Sequence, residues 1–182
     1  KDDFLFRAAS FAHSHGITPN TMTAIGLCFG VSAGAMFLVR QMPLGFALGL
    51  ISVFCDMLDG TIARKFNLET LRGKVLDSAF DRVSELAVVL GALGGGIIEL
   101  WGIITIMGSA TLFFFRVISY RQGASTDYVL FGRTERLVFI MLGLLMPWVT
   151  ASTICFILAG VFGFVSALQI AVNLSWPRVA SG

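Results

Sequence analysis

Apolar stretches of about 20 residues recur along this chain, each long enough to cross a bilayer as a helix. Lipid offers no water to backbone amides and carbonyls, so such a stretch must satisfy them internally. The expected fold class is therefore all-α, a polytopic integral membrane protein. Composition agrees: 56% of residues are hydrophobic and 13% charged, whereas soluble domains average about 25% charged. The 17 Phe and 20 Gly suit helices packed together in lipid. Cys28, Cys55 and Cys155 sit inside apolar runs without metal or disulfide spacing and read as small core residues.

The pattern predicts two regions: an interfacial amphipathic helix over 1–17 and a membrane domain of about six helices over 18–182. In the first, Phe4, Leu5, Ala8, Ala9 and Phe11 fall largely on one helical face, too short a segment to span. His13 and His15 are expected to be exposed, and Gly16 to end the segment. Thr18 should cap the first span, with Pro19 in its first turn. The spans are placed near 18–39, 43–64, 73–92, 97–120, 134–148 and 152–176. Gly26, Gly30 and Gly34 repeat every four residues and would let another helix approach closely. Gly94-Gly95-Gly96 marks a turn, and Trp176 is a candidate interface anchor. With six spans, every Lys and Arg except Arg40 falls on one side. The positive-inside rule then places both termini on the cytoplasmic side.

Against this apolar background, Asp56, Asp59, Asp77 and Asp81 stand out. Acids within membrane spans are rare and mark function. Asp56 and Asp59 are three apart and Asp77 and Asp81 four apart, so each pair projects from one helical face. The polar stretch from Arg64 to Lys74 is expected to turn and fold the two helices into a hairpin, bringing the pairs to similar depth. Facing carboxylates repel unless cations lie between them, and oxygen-only ligands favour Mg²⁺, Mn²⁺ or Ca²⁺ over zinc. Glu85 continues the stripe and is expected to partner Arg82 or a neighbouring helix.

The run reads D-x2-D-G-x2-A-R-x8-G-x3-D-x3-D through Asp56, Asp59, Gly60, Ala63, Arg64, Gly73, Asp77 and Asp81. It resembles the signature of the CDP-alcohol phosphotransferases, with all eight positions matched. The resemblance implies attack of an acceptor hydroxyl on the β-phosphorus of a CDP-alcohol, giving a phosphodiester and CMP. It implies Mg²⁺ or Mn²⁺ as cofactor, two ions per site, held by Asp56, Asp59 and Asp77. Asp81 would be the base, sharing a metal; periodicity alone does not separate Asp77 from Asp81. Pro19, Asn20 and Thr23 match the Pro-Asn-x-x-Thr that often opens the family's first span, which would put Asn20 and Thr23 near the nucleotide; simple capping is the other reading of Thr23.

Gly60, Ala63 and Gly73 leave space a larger side chain would take from a nucleotide, although small residues also serve helix packing. Arg64 can bind the diphosphate through its fork of donors. Arg121, Arg133 and Arg136 form a second basic cluster, suited to an anionic acceptor. In the family's inositol-phosphate branch, basic residues in this region hold the acceptor's phosphate. That branch tends to carry an arginine on its last helix, and here the last span has none before Arg178. Glycerol phosphate or serine are alternative acceptors. The expected partners are thus a CDP-alcohol, an anionic small-molecule acceptor, the lipid bilayer and a second copy in a homodimer, with no nucleic acid. A divalent-metal transporter is the rival class. It would leave Gly60, Ala63, Arg64 and Gly73 without work, and the acids do not continue across the bilayer.

Overall fold

The computed structural model describes residues 2–122 and 133–175, and every element among them is helical. The chain forms two compact units, Lys1–Gly95 and Gly96–Gly182.

The first unit holds α1 (Asp2–Ser14), α2 (Pro19–Leu38), α3 (Met42–Lys65) and α4 (Leu71–Gly94). α1 ends before Gly16, which turns at φ +77°. Thr18 caps α2, its hydroxyl accepting the Thr21 N–H at 3.3 Å, with Pro19 in the first turn as expected. α1 lies on α3 and buries Ala9 and Ala12, with Leu5 and Ala8 partly covered. Phe11, expected on that apolar face, is 68% exposed. The buried stripe runs 5, 8, 9, 12, and residue 11 falls roughly 100° to its side.

α2 is the spine of this unit, packing along both α3 and α4. Its glycines explain how. A Cβ on Gly26 would stand 3.2 Å from Cys55 Cβ of α3. On Gly30 it would meet Ser84 Oγ of α4 at 2.6 Å and Ser52 Oγ of α3 at 3.0 Å, and on Gly34 it would run into the backbone of Ala87. Ser52 also donates to the Gly26 carbonyl at 2.7 Å, satisfying a polar group inside the bundle. α3 and α4 themselves barely approach each other. The expected hairpin therefore exists by connectivity, but its two helices are packed on α2, not on one another.

The link between α3 and α4 is shorter than the expected 64–74 turn. Helix persists through Lys65 and resumes at Leu71. Asn67 takes a left-handed φ of +53°, which its short polar side chain tolerates, and Thr70 caps α4 by accepting the Gly73 N–H at 2.9 Å. At the other end, α4 stops at the expected glycine turn, with Gly96 at φ +68°. Arg40, the lone basic residue expected on the far side, donates from Nε to the Gly95 carbonyl at 2.6 Å. A cation there complements the negative end of α4.

The second unit begins with a 3₁₀ turn (Leu100–Ile103), followed by α5 (Ile104–Arg121), α6 (Arg133–Leu145) and α7 (Val149–Ser175). The fourth expected span thus turns fully helical only at Ile104. α5 and α7 meet where Gly108, Gly160 and Gly163 bring backbone against backbone. Leu112, Ala167 and Ile170 form their buried core. Trp176 and Arg178 lie outside the described residues.

Four helical stretches are long and apolar enough to cross a membrane: Pro19–Leu38, Met42–Lys65, Leu100–Arg121 and Val149–Leu174. Outward side chains such as Val31, Leu50, Phe54, Val161 and Leu168 are apolar and exposed, a surface suited to lipid. α4 has 24 residues but carries Arg72, Lys74, Asp77, Asp81, Arg82 and Glu85. α6 has 13 residues, roughly 20 Å of helix. The expectation of six spans therefore rests on counting these two as well.

Candidate metal and nucleotide site

The polar heart of the first unit is the gap between α3 and α4. On α3, successive gaps of three, one, three and one residues put Asp56, Asp59, Gly60, Ala63 and Arg64 on one face. On α4, Gly73, Asp77 and Asp81 do the same at intervals of four. One carboxylate oxygen from each of Asp56, Asp59 and Asp77 falls within 4.8 Å of the other two. Asp59 is 5% exposed, and Asp56 and Asp77 are half-buried. Asp81, half-buried one turn further along α4, is not part of this trio. Asp77, not Asp81, is thus the α4 acid that lies nearest the α3 pair.

The trio fits a hard divalent cation. All its donors are oxygens, and opposite ligands of Mg²⁺ stand about 4.2 Å apart. Asp59 Oδ2 and Asp77 Oδ1 are sealed from solvent and receive no hydrogen bond, while each carboxylate keeps other partners.

The small residues beside the trio fall into two kinds. Gly26, Gly30 and Gly34 are filled by neighbouring helices, whereas Gly60 is open: a Cβ there would find only the Arg64 guanidinium, at 3.7 Å. Arg64 therefore folds back along α3 over Gly60, and it is exposed. Gly73 would bring a Cβ to 3.6 Å from Asn20 Oδ1, so the first turns of α2 and α4 lie side by side. Asn20 is exposed there. Thr23 is 8% exposed and donates to the Pro19 carbonyl at 2.9 Å, a bond within its own helix. Glu85, expected to partner Arg82, does so at 2.9 Å, with both side chains largely covered. This pairing offsets a further negative charge one turn beyond Asp81.

The arginines of the second unit divide differently. Arg121 ends α5 and is exposed. Arg133 opens α6, and its side chain lies outside the described residues. Arg136 is 2% exposed; its Nε donates to the Ala159 carbonyl at 3.1 Å and its Nη2 to the Ser109 hydroxyl. It ties α6 to α5 and α7. Sequence reasoning used Arg116 only as a topology-setting charge, yet it is half-buried on α5. The signal was there, an arginine inside an otherwise apolar span.

The family model for CDP-alcohol phosphatidyltransferase matches residues 16–170. The chain belongs to that family. A relative in Pyrococcus horikoshii, archaetidylinositol phosphate synthase, is 30% identical over 132 residues, 71% of this chain and 70% of that protein. Two solved structures of phosphatidylinositol phosphate synthase from Mycobacterium tuberculosis share the fold. One is in complex with manganese and citrate, with a TM-score of 0.77 and 23% identity, covering 98% of this chain and 92% of that one. The other has CDP-DAG bound, with the same score and identity, covering 98% and 96%. The family assignment makes this an integral membrane transferase, and three of the eight signature positions, Asp56, Asp59 and Asp77, meet between α3 and α4.

Proposed function

We propose that this phosphatidyltransferase moves a substituted phosphate group from a CDP-linked lipid to the hydroxyl of a phosphorylated polyol such as inositol phosphate, releasing CMP. The observation that carries the reading is the trio of Asp56, Asp59 and Asp77, with oxygens within 4.8 Å, beside the open face of Gly60. Asp56, Asp59 and Asp77 would hold Mg²⁺ or Mn²⁺, two ions with Asp81 sharing. When bound, such ions neutralise diphosphate charge and stabilise the attacking and leaving oxygens.

This chain's own residues then have separable tasks. Gly60 and Ala63 admit the nucleotide against the α3 backbone, and Gly73 with Asn20 and Thr23 does so at the start of α4. Arg64, folded over Gly60, presents its donors to the diphosphate. Asp81, outside the trio, takes the proton of the acceptor hydroxyl. The acceptor oxygen bonds to the β-phosphorus, and the bond from that phosphorus to the CMP oxygen breaks. Arg121 and Arg133 hold the acceptor's phosphate, with Arg136 anchoring the start of α6. The relative named for archaetidylinositol phosphate supports an inositol-phosphate acceptor.

The basic-residue asymmetry supports a site at the cytoplasmic face, with α1 in the interface. A homodimer rests on the family resemblance, since Gly26, Gly30 and Gly34 are filled within their own unit. The test is CMP release by purified protein in lipid nanodiscs, given CDP-diacylglycerol or CDP-archaeol with inositol phosphate, glycerol phosphate or serine. Release with inositol phosphate, abolished by chelator and restored by Mn²⁺ or Mg²⁺, is expected. Full activity in excess chelator, or metal flux without CMP release in liposomes, would overturn the reading.

A further inference from the structure

The segment of α3 that carries the site has two faces, and they do different things. Asp56, Asp59, Gly60, Ala63 and Arg64 point one way; Cys55, Leu58, Ile62 and Lys65 lie on the opposite side of the helix. That opposite side is covered. Cys55, Leu58 and Ile62 are each at most 6% exposed and form one apolar cluster with Met22 of α2 and with Ala9 and Ala12 of α1. Ala9 is fully buried there. At the end of α3, Lys65 Nζ donates to the Phe6 carbonyl at 3.0 Å and to the Ser10 hydroxyl. Its ammonium sits 5.1 Å from the Phe6 ring centre and 5.7 Å from that of Phe66. His13 stacks on Phe66 with ring centres 3.9 Å apart.

On the site side, by contrast, α3 and α4 barely touch, and the carboxylates between them repel. Behind the site, the packing that holds the last turns of α3 comes from α2 and α1.

We propose that α1 is a positioning element for the transfer reaction, bracing the back of the α3 segment that carries Asp56, Asp59 and Gly60, with Lys65 as its clasp. Lys65 adjoins Arg64, so the clasp also sets how the last turn of α3 presents Arg64 to a donor diphosphate. The inference rests on the donor placement proposed above. It adds that residues on a helix outside the family signature tune donor and metal affinity.

The test uses the full chain in nanodiscs with Mn²⁺. Binding of CDP-diacylglycerol is measured by calorimetry, and donor and acceptor KM from CMP release. Lys65→Met removes the clasp. Ala9→Leu pushes α1 off the α3 surface. Lys65→Arg keeps a cation over the rings and a donor for the Phe6 carbonyl. We expect the first two to weaken donor binding by about 2- to 30-fold, the range for coupling through packed elements. Acceptor KM should stay as in the parent, and Lys65→Arg should restore donor affinity. A merely structural helix would lower the melting temperature without splitting the two KM values. If the parent binds donor and both disruptive variants bind it equally well, the brace is overturned alone. If the parent binds no CDP-linked lipid, the donor placement falls and the brace with it.

Discussion

Replacing Asp59 by Asn should make the metal-free protein more stable while abolishing its function. The three carboxylates of the trio approach within 4.8 Å. At an effective dielectric of about 20, unit charges at that distance repel by about 3.5 kcal/mol per pair. Asp59 takes part in two of the three pairs, so the neutral amide removes about 7 kcal/mol of unrelaxed repulsion. Side-chain relaxation and water entry reduce this, and about 1–3 kcal/mol is a realistic net gain for one substitution. At roughly 2–4 °C per kcal/mol for a chain of this size, the variant in chelator should melt about 2–12 °C above the parent.

Saturating Mn²⁺ reverses the order. A ligand at a hundred times its dissociation constant adds about 2.7 kcal/mol to the parent. The variant, with one of three charged ligands gone, should gain far less. The assay is thermal unfolding in nanodiscs with chelator and with Mn²⁺, alongside CMP release. A variant that melts below the parent in chelator would refute the repulsion argument. Equal Mn²⁺ stabilisation of both proteins would refute the assignment of Asp59 to the metal.

Gly60→Leu should fold, because a Cβ there meets only the flexible end of Arg64, and it should lose CDP-lipid affinity in calorimetry while still binding Mn²⁺. Gly34→Val should do the opposite: its side chain would collide with the Ala87 backbone, costing about 3 kcal/mol or more and lowering the melting temperature by roughly 6–12 °C. Arg133→Ala should raise the acceptor's KM about ten- to a hundredfold, the equivalent of one charged hydrogen bond, with donor binding unchanged and the preference for phosphorylated over unphosphorylated acceptor reduced.

What could be read from the sequence was whatever repeats or caps locally. The helices, the Thr18 cap, the Gly16 and Gly94–Gly96 breaks and the Arg82–Glu85 pair all depend on residues within one or two turns of each other. The convergence of Asp56, Asp59 and Asp77 was legible because two acid pairs sit on either side of one short connection. Phe11 was misplaced because six apolar residues in the first eleven cover more than one face, and only docking on α3 selects the 5, 8, 9, 12 stripe. The division of α3 and α4 across α2 was not legible, since a hairpin and a pair of helices sharing a third have the same local pattern. Lys65 went unremarked for a related reason: its partners, Phe6 and Ser10, lie more than 50 residues earlier in the chain.

The glycine repeat of α2 and the aspartates of α3 and α4 form one design. Acids that line a common gap push their helices apart, so those helices cannot be held by packing across the gap. They can be held from behind, if a third helix comes close enough to both. Gly26, Gly30 and Gly34 make α2 thin enough for Ser52 and Cys55 of α3 and Ser84 and Ala87 of α4 to seat against its backbone. Two of these contacts lie within three residues of a site carboxylate, Cys55 just before Asp56 and Ser84 three after Asp81, and Ser52 lies one turn before Asp56. Close packing on the α2 side is therefore transmitted directly to the spacing of the acids on the other. The signature residues specify what faces the gap, and the small residues behind them set its width. A change at Gly30 should thus alter metal affinity through the separation of α3 and α4 even though Gly30 faces away from the cation.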